Sequence, residues 1–328
     1  MGRPPPEGAR VAYAWKGWRA GSGRKGVWKA HPQVVEVNMR PSGFVEQERP
    51  GFVLALSLIV FGTTFFLAVT PAGHAKDDHQ CTDRSVNGPY GYVFQGLQFP
   101  SPPSAAGAAP GAAAGLFVFD GKGGVTAQDT FNNGVTLSHR TGTGSVTVNS
   151  DCTGSGQLGG DFGGLSFNFV IVRPGREFSF LVTNPGTVQP GIALTTGNKK
   201  CTLGSFKGAY RNTRLDYGAA FFSSVNAGLE VGIFDGAGSF FFPPVTQMRN
   251  GVLTQPTATG TYTVASNCLA SLDLLIVDGA TSVQRRREGV IVDGGNQALF
   301  IGATGPGGVG GVGTAQFRKQ ALDDEDGD

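Results

Sequence analysis

Four cysteines are the residues of this chain whose chemistry is easiest to state. Cys81 and Cys152 belong to one stretch, Cys201 and Cys268 to another. In an oxidising compartment such pairs form disulfides, and four cysteines allow three pairings. Buried free thiols are the alternative. Other reactive groups are sparse. Beyond residue 75 the chain holds two histidines, His79 and His139. His79 beside Asp77 and Asp78 could hold a metal weakly, but a solvated segment explains it more simply. His139 stands next to Arg140 in a strand and reads as a structural or surface residue. The second half has no histidine, so a Ser-His-Asp or His-based metal site shared by both halves is not expected.

Asp120-Gly121-Lys122-Gly123 and Asp235-Gly236-Ala237-Gly238 invite a calcium reading. A calcium loop needs several oxygen ligands. Each stretch offers one carboxylate, so aspartate as a turn residue is the expectation. Residues 305–313 lack the Gly-Lys-Ser/Thr of a phosphate loop and read as a flexible loop. Arg285-Arg286-Arg287 is the only dense basic run; it could meet an anionic partner, but a solvated hairpin edge is the simpler reading. No catalytic, cofactor-binding or metal-ligating residue is assigned, and no cofactor is expected.

The elements that must position these groups are legible as a repeat. Cys81-Thr82-x-x-Ser85-Val86-x-Gly88-x-Tyr90 matches Cys201-Thr202-x-x-Ser205-Phe206-x-Gly208-x-Tyr210. Phe119-Asp120-Gly121-x-Gly123 matches Phe234-Asp235-Gly236-x-Gly238, and Asn133-Gly134-Val135 matches Asn250-Gly251-Val252. Thr143-Gly144-x-x-Thr147-Val148-x-Ser150-Asp151-Cys152 matches Thr259-Gly260-x-x-Thr263-Val264-x-Ser266-Asn267-Cys268. Val170-Ile171-Val172-x-x-Gly175 matches Val290-Ile291-Val292-x-x-Gly295. The order is kept, with an offset between 115 and 120. That period means two domains, since solenoid repeats run to roughly 20–50 residues.

Within the first copy, alternating apolar runs bounded by Asn-Gly and Asp-Gly turns predict eight strands. They lie at about 90–94, 116–119, 125–131, 135–148, 155–158, 165–172, 177–183 and 188–194. Eight consecutive antiparallel strands suit a closed up-and-down barrel, with a two-sheet sandwich as the alternative. The expected fold class is therefore all-β, with two tandem barrels. In a meander the first strand begins at the end of the barrel where the fourth finishes. Cys81 and Cys152 then share an end, as do Cys201 and Cys268, and disulfides Cys81–Cys152 and Cys201–Cys268 are predicted. The Pro/Ala stretch 98–113 and Ala219-Ala220-Phe221-Phe222 are expected to be loops rimming the opposite mouth.

The first 75 residues differ in kind. They carry nine Lys/Arg against four Asp/Glu, whereas the remainder carries seventeen against twenty. Residues 52–70 run uncharged for long enough to span a bilayer. Gly73 and Ala75 fit a signal-peptidase site, so cleavage between Ala75 and Lys76 is expected, with an uncleaved anchor as the alternative. Residues 1–50 are too long for a leader's basic region and read as a disordered or mis-assigned extension. The near-neutral remainder gives no nucleic-acid footprint. The expected organisation is a leader at 51–75, barrel units at 81–197 and 201–318, and an acidic disordered tail at 319–328.

The combined signatures resemble a group of exported, uncharacterised bacterial proteins, over about residues 81–318. They are Cys…Gly-x-Tyr, Phe-Asp-Gly-x-Gly, and Thr-Val-x-x-Asp-Cys-Thr-Gly before a Val-Ile-Val strand. The barrel of that group is similar to that of lipocalins and allene oxide cyclases. The resemblance implies a fold and no activity. The second copy departs from it, with Arg211 for Gly91 and Asn267-Cys268-Leu269-Ala270 for Asp-Cys-Thr-Gly. The leading functional expectation is an exported, non-catalytic module binding a small apolar ligand or a surface partner. A structural cell-envelope component comes second, and a cyclase- or isomerase-like enzyme, by fold analogy alone, third.

Overall fold

The computed structural model describes residues 80–100, 107–197, 199–218, 224–305, 308–309 and 311–321. It also describes a two-residue pairing of Ala14–Trp15 with Gln33–Val34. The leader expected at 51–75, its cleavage site at Ala75 and Lys76, His79, residues 219–222 and the acidic residues from 322 onward lie outside the described residues. Among those described, no helix is long and apolar enough to cross a membrane.

Eight antiparallel strands form the first barrel. They are β1 (Gly88–Gln98), β2 (Ala109–Phe119), β3 (Gly124–Asn132), β4 (Leu137–Val148), β5 (Thr153–Leu158), β6 (Leu165–Arg173), β7 (Glu177–Val182) and β8 (Thr187–Thr195). Each pairs with the next, and β8 closes onto β1. The period of two sends Tyr90, Tyr92 and Phe94 inward from β1 and Val93 outward.

The second barrel has the same eight staves, cut into more segments. Its strands are β9 (Lys207–Tyr217), β10 (Val225–Asp235), β11 (Ser239–Phe242), β12 (Thr246–Arg249), β13 (Val252–Thr254), β14 (Thr257–Val264), β15 (Leu269–Asp278), β16 (Thr281–Val292), β17 (Gln297–Gly305), β18 (Gly308–Val309) and β19 (Val312–Lys319). β11 and β12 both pair with β10 and make one broken stave, as β13 and β14 make the next. Pro243, Pro244 and Pro256 sit at the breaks, where proline offers no N–H to a ladder. The Val245 amide bridges the gap to the Pro256 carbonyl at 2.9 Å. Pairing of β9 with β10 and with β19 closes the barrel. β18 folds back on the end of β17, so part of the glycine stretch expected as a loop is paired strand. The last stave runs to Lys319, one residue into the expected acidic tail.

The repeated motifs are turn devices. Cys81 bonds to Cys152 and Cys201 to Cys268, each tying the entry of a first strand to the turn after a fourth. Thr82 and Thr202 donate their amides to Ser85 Oγ and Ser205 Oγ, at 3.1 and 3.0 Å, opening matching single 3-10 turns. Asp120 Oδ1 accepts from the amides of Lys122 (2.7 Å) and Gly124 (2.8 Å), and Asp235 Oδ1 from those of Ala237 and Ser239. These amides hold both carboxyls below the ordinary aspartate range. Both aspartates are thus turn residues, and among the described residues no cluster of acidic, His or Cys groups could hold a metal.

One apolar cluster joins the two barrels, separate from the one that fills the first barrel. The outer face of β1 and β2 (Val93, Ala112, Ala114, Leu116) packs on Val290, Val292, Leu299 and Ile301 of β16 and β17. The expectation that 98–113 is a mouth loop is corrected at its two ends, Gln98 and residues 109–113, which are strand; residues 101–106 lie outside the described residues. β2 begins at Ala109, and its alanines make the flat surface on which the second barrel sits. Ala/Gly runs read as loops because local propensity registers neither burial nor flatness. A Cβ on Gly91 would lie within 2.7 Å of Val290 and closer still to Val292. Gly91→Arg, which installs the second copy's residue in the first, is therefore expected to cost about 3 kcal/mol or more through overpacking and a buried charge. Urea denaturation measures it; a loss under about 1 kcal/mol would show that the barrels do not depend on this close approach.

Polar contacts rim the joining cluster. Thr130 donates to Glu288 Oε2 at 2.6 Å, and His139 Nε2 lies 2.9 Å from the same oxygen. Asn132 Nδ2 donates to the Gly302 carbonyl at 2.7 Å, and Thr314 Oγ1 to Gln95 Oε1 at 2.8 Å. Burial pushes the Glu288 carboxyl up, but hydrogen bonds from Thr130, His139 and Arg286 outweigh it and hold it below its ordinary value. His139 is thus a contact between barrels.

Candidate functional site

The two interiors differ, although their walls match strand for strand. The first is filled with rings. Tyr92 stacks on Phe117 at 3.9 Å, and Phe167, Phe178 and Phe180 pack against that pair and one another. The disulfide end of the second interior is filled the same way, by Phe206, Phe234, Phe242, Tyr262, Phe300 and Phe317.

The opposite end of the second barrel is polar. By strand pairing, Tyr92, Phe94, Phe131, Leu165 and Phe167 of the first barrel correspond to Asn212, Arg214, Gln247, Arg285 and Arg287 of the second. Four apolar interior positions and one tyrosine have become polar or cationic. Arg214, Gln247, Arg285 and Arg287 line a cavity of about 120 Å³ together with Asp216, Asn226, Arg249 and Asp278, while Asn212 is bonded to Glu230 beside Arg287.

At the floor, Arg287 donates through Nη1 and Nη2 to Glu230 Oε1, at 3.2 Å each, and lies 5.9 Å from the centre of the Phe317 ring. Asn212 Nδ2 donates to the same Glu230 oxygen. This orients the Asn212 amide, leaving its Oδ1 buried without a partner. Higher up, Arg214 Nη2 donates to Gln247 Oε1, and Nη1 lies 3.6 Å from Asp216 Oδ2. Arg214 Nε and Asn226 Oδ1 are also buried and unpartnered. Burial pushes the Asp216 carboxyl above its ordinary range, against the pull of Arg214. Burial, and then the neighbouring Arg249, draw the Arg285 guanidinium down. Among the described residues, Arg249 and Arg285 make no hydrogen bond or ion pair.

Buried polar groups are normally satisfied, and each exception calls for an explanation. Here two orphaned atoms, Arg214 Nε and Asn226 Oδ1, lie on one cavity with two unpaired guanidinium groups, the half-buried Arg285 and the exposed Arg249. Donors and positive charge exceed what the protein itself consumes. Such a site accepts an anion, and the orphaned Asn226 carbonyl accepts an O–H or N–H group attached to it.

Arg285–Arg287 was expected to be a solvated hairpin edge, and that expectation is overturned. Arg285 and Arg287 point into the barrel, and Arg287 is buried. Only Arg286 faces outward, where it pairs with Asp273 and Glu288. A dense basic run suggests solvent, yet its alternation within a β-strand sends every second arginine inside. Asn212-x-Arg214-x-Asp216 carried the available signal, because it continues the inward phase set by Tyr210. The four cysteines all lie at the far end, away from the cup.

No protein-family model matches the chain, and no curated protein matches it.

Proposed function

We propose that the protein is an exported, non-catalytic binding protein whose polar cup in the second barrel takes a small anion carrying hydroxyl or amino donors, a hydroxy acid or sugar acid by chemical class. The unpaired Arg285 and Arg249 on the same cavity as the orphaned Asn226 carbonyl support this reading. An apolar ligand, suggested by the Phe-rich strands, fits less well, because those phenylalanines fill the interiors they line. The two disulfides suit an oxidising compartment.

Isothermal titration with glucuronate, lactate, acetate and inorganic phosphate tests the cup. Arg285→Ala is expected to weaken the best of these about 10- to 100-fold, the worth of a charged hydrogen bond. Lys122→Ala, on a distant turn, should leave it unchanged. The pH dependence has a definite sign. Asp216 faces Arg214, Arg285, Arg287 and Glu230. As pH falls through its raised pKa the carboxylate is neutralised, the cup becomes more positive, and anion affinity rises. Equal binding by wild type and Arg285→Ala, or affinity falling on acidification, would refute the assignment. Turnover of the bound acid would instead favour the isomerase-like reading.

A further inference from the structure

We propose that the chain self-associates head to tail, the outer face of β6, β7 and β8 on one molecule docking against the outer face of β9, β10 and β12 on a second copy. The contact between the barrels of one molecule supplies the template. It joins the β1–β3 face of the first unit to the β16, β17 and β19 face of the second. The join is heterologous, so it leaves one counterpart of each face unused. A stack of repeats normally ends in polar caps, and heterologous contacts propagate into rings or filaments.

The unused faces are not polar caps. Val170, Val172, Leu181 and Val188 of the first unit correspond to Val290, Val292, Ile301 and Val312 of the second. The latter four are 0% exposed, buried at the join. The former four keep the same aliphatic character while 47% to 54% exposed. On the other free face Leu229 and Met248 stand where Ala114 and Asn132 stand in the join, and both are exposed; Leu215, at the Gln95 position, has an exposed side chain at the rim, where its carbonyl accepts from Gln95 across the join.

The substitutions between copies are matched across the two free faces. At the join Gln95 accepts from Thr314; on the free faces those positions are Leu215 and Pro190, both apolar. At the join Thr130 donates to Glu288; the counterparts are Thr246 and Asn168, which would meet between two molecules as a neutral polar pair. One position opposes the fit. Arg211 replaces the Gly91 that lets the barrels close on each other. Two molecules therefore meet less tightly than the two barrels of one molecule, and the association is reversible and concentration-dependent.

Sedimentation velocity of the purified chain over a concentration series tests this, with every sample carrying the same N-terminus. The wild-type sedimentation coefficient should rise with concentration. Val170→Glu with Leu181→Glu should abolish the rise, and so should Leu229→Glu with Met248→Glu. An equimolar mixture of the two double variants should recover a dimer, since each retains the face the other lacks. Arg211→Gly should move the transition to about tenfold lower concentration. Circular dichroism checks that the barrels remain folded; should a glutamate pair unfold them, the serine pair at the same positions reads the same contrast. A wild type that stays monomeric, association indifferent to the variants or to Arg211→Gly, or a mixture that stays monomeric would overturn the proposal.

Discussion

Asp129→Ala is expected to destabilise the protein by about 3–5 kcal/mol, the cost of leaving a buried charge without its partner. Asp129 lies inside the first barrel with its side chain fully covered. Its Oδ1 accepts from Arg140 Nε at 2.9 Å. Its Oδ2 accepts from Arg140 Nη2 at 2.6 Å and from the Tyr92 hydroxyl at 2.7 Å. Burial and then this carboxylate hold the Tyr92 hydroxyl well above its ordinary pKa. Without Asp129 the guanidinium keeps only the faces of Phe131 and Phe162, 4.3 and 4.8 Å from the ring centres. Cation–π contacts of this kind contribute about 0.5–2 kcal/mol and do not replace a bidentate ion pair. Asp129→Leu combined with Arg140→Met removes both charges and should recover most of the loss. Urea denaturation of the two variants separates the cases. A single variant within 1 kcal/mol of wild type would mean that water already shares the pair.

Loss of either disulfide should cost about 4 kcal/mol, and the two losses should be nearly equal. The bonds close loops of similar size, with sequence separations of 71 and 67. The entropy model gives each that magnitude. A second effect separates the possible replacements. Cys152 and Cys268 sit at φ 66° and 72°, in the left-handed region, and the bond holds them there. Alanine at either position keeps the strain without the bond, whereas glycine adopts it freely. Cys81→Ala with Cys152→Gly should therefore unfold about 1 kcal/mol later than Cys81→Ala with Cys152→Ala. Thermal melts of these pairs and of the Cys201/Cys268 equivalents supply the comparison. A second-unit loss much smaller than the first would show that the two units do not unfold together.

The cup and the join were less visible than the barrel, for one physical reason. A strand's alternation says that Arg285 and Arg287 share a face, and nothing local says which face is inside. Gly91 and Arg211 occupy equivalent places, and a Gly/Arg difference in an outward position reads as neutral surface variation. Its meaning depends on Val290 and Val292, some two hundred residues away in the chain.

The four cysteines illustrate the division. Turn chemistry, alternation and the doubled motifs are local, so the sequence alone determined two all-β units, eight strands in the first and the pairings Cys81–Cys152 and Cys201–Cys268. Closure and packing are not local. Only the tertiary structure decided that one interior is filled while the other ends in an arginine-rich cup, that Ala112 and Ala114 are interface, and that two matched apolar faces are left at the ends of the pair. Those outcomes depend on which face of each strand closure turns inward, and on what a distant strand then presses against it.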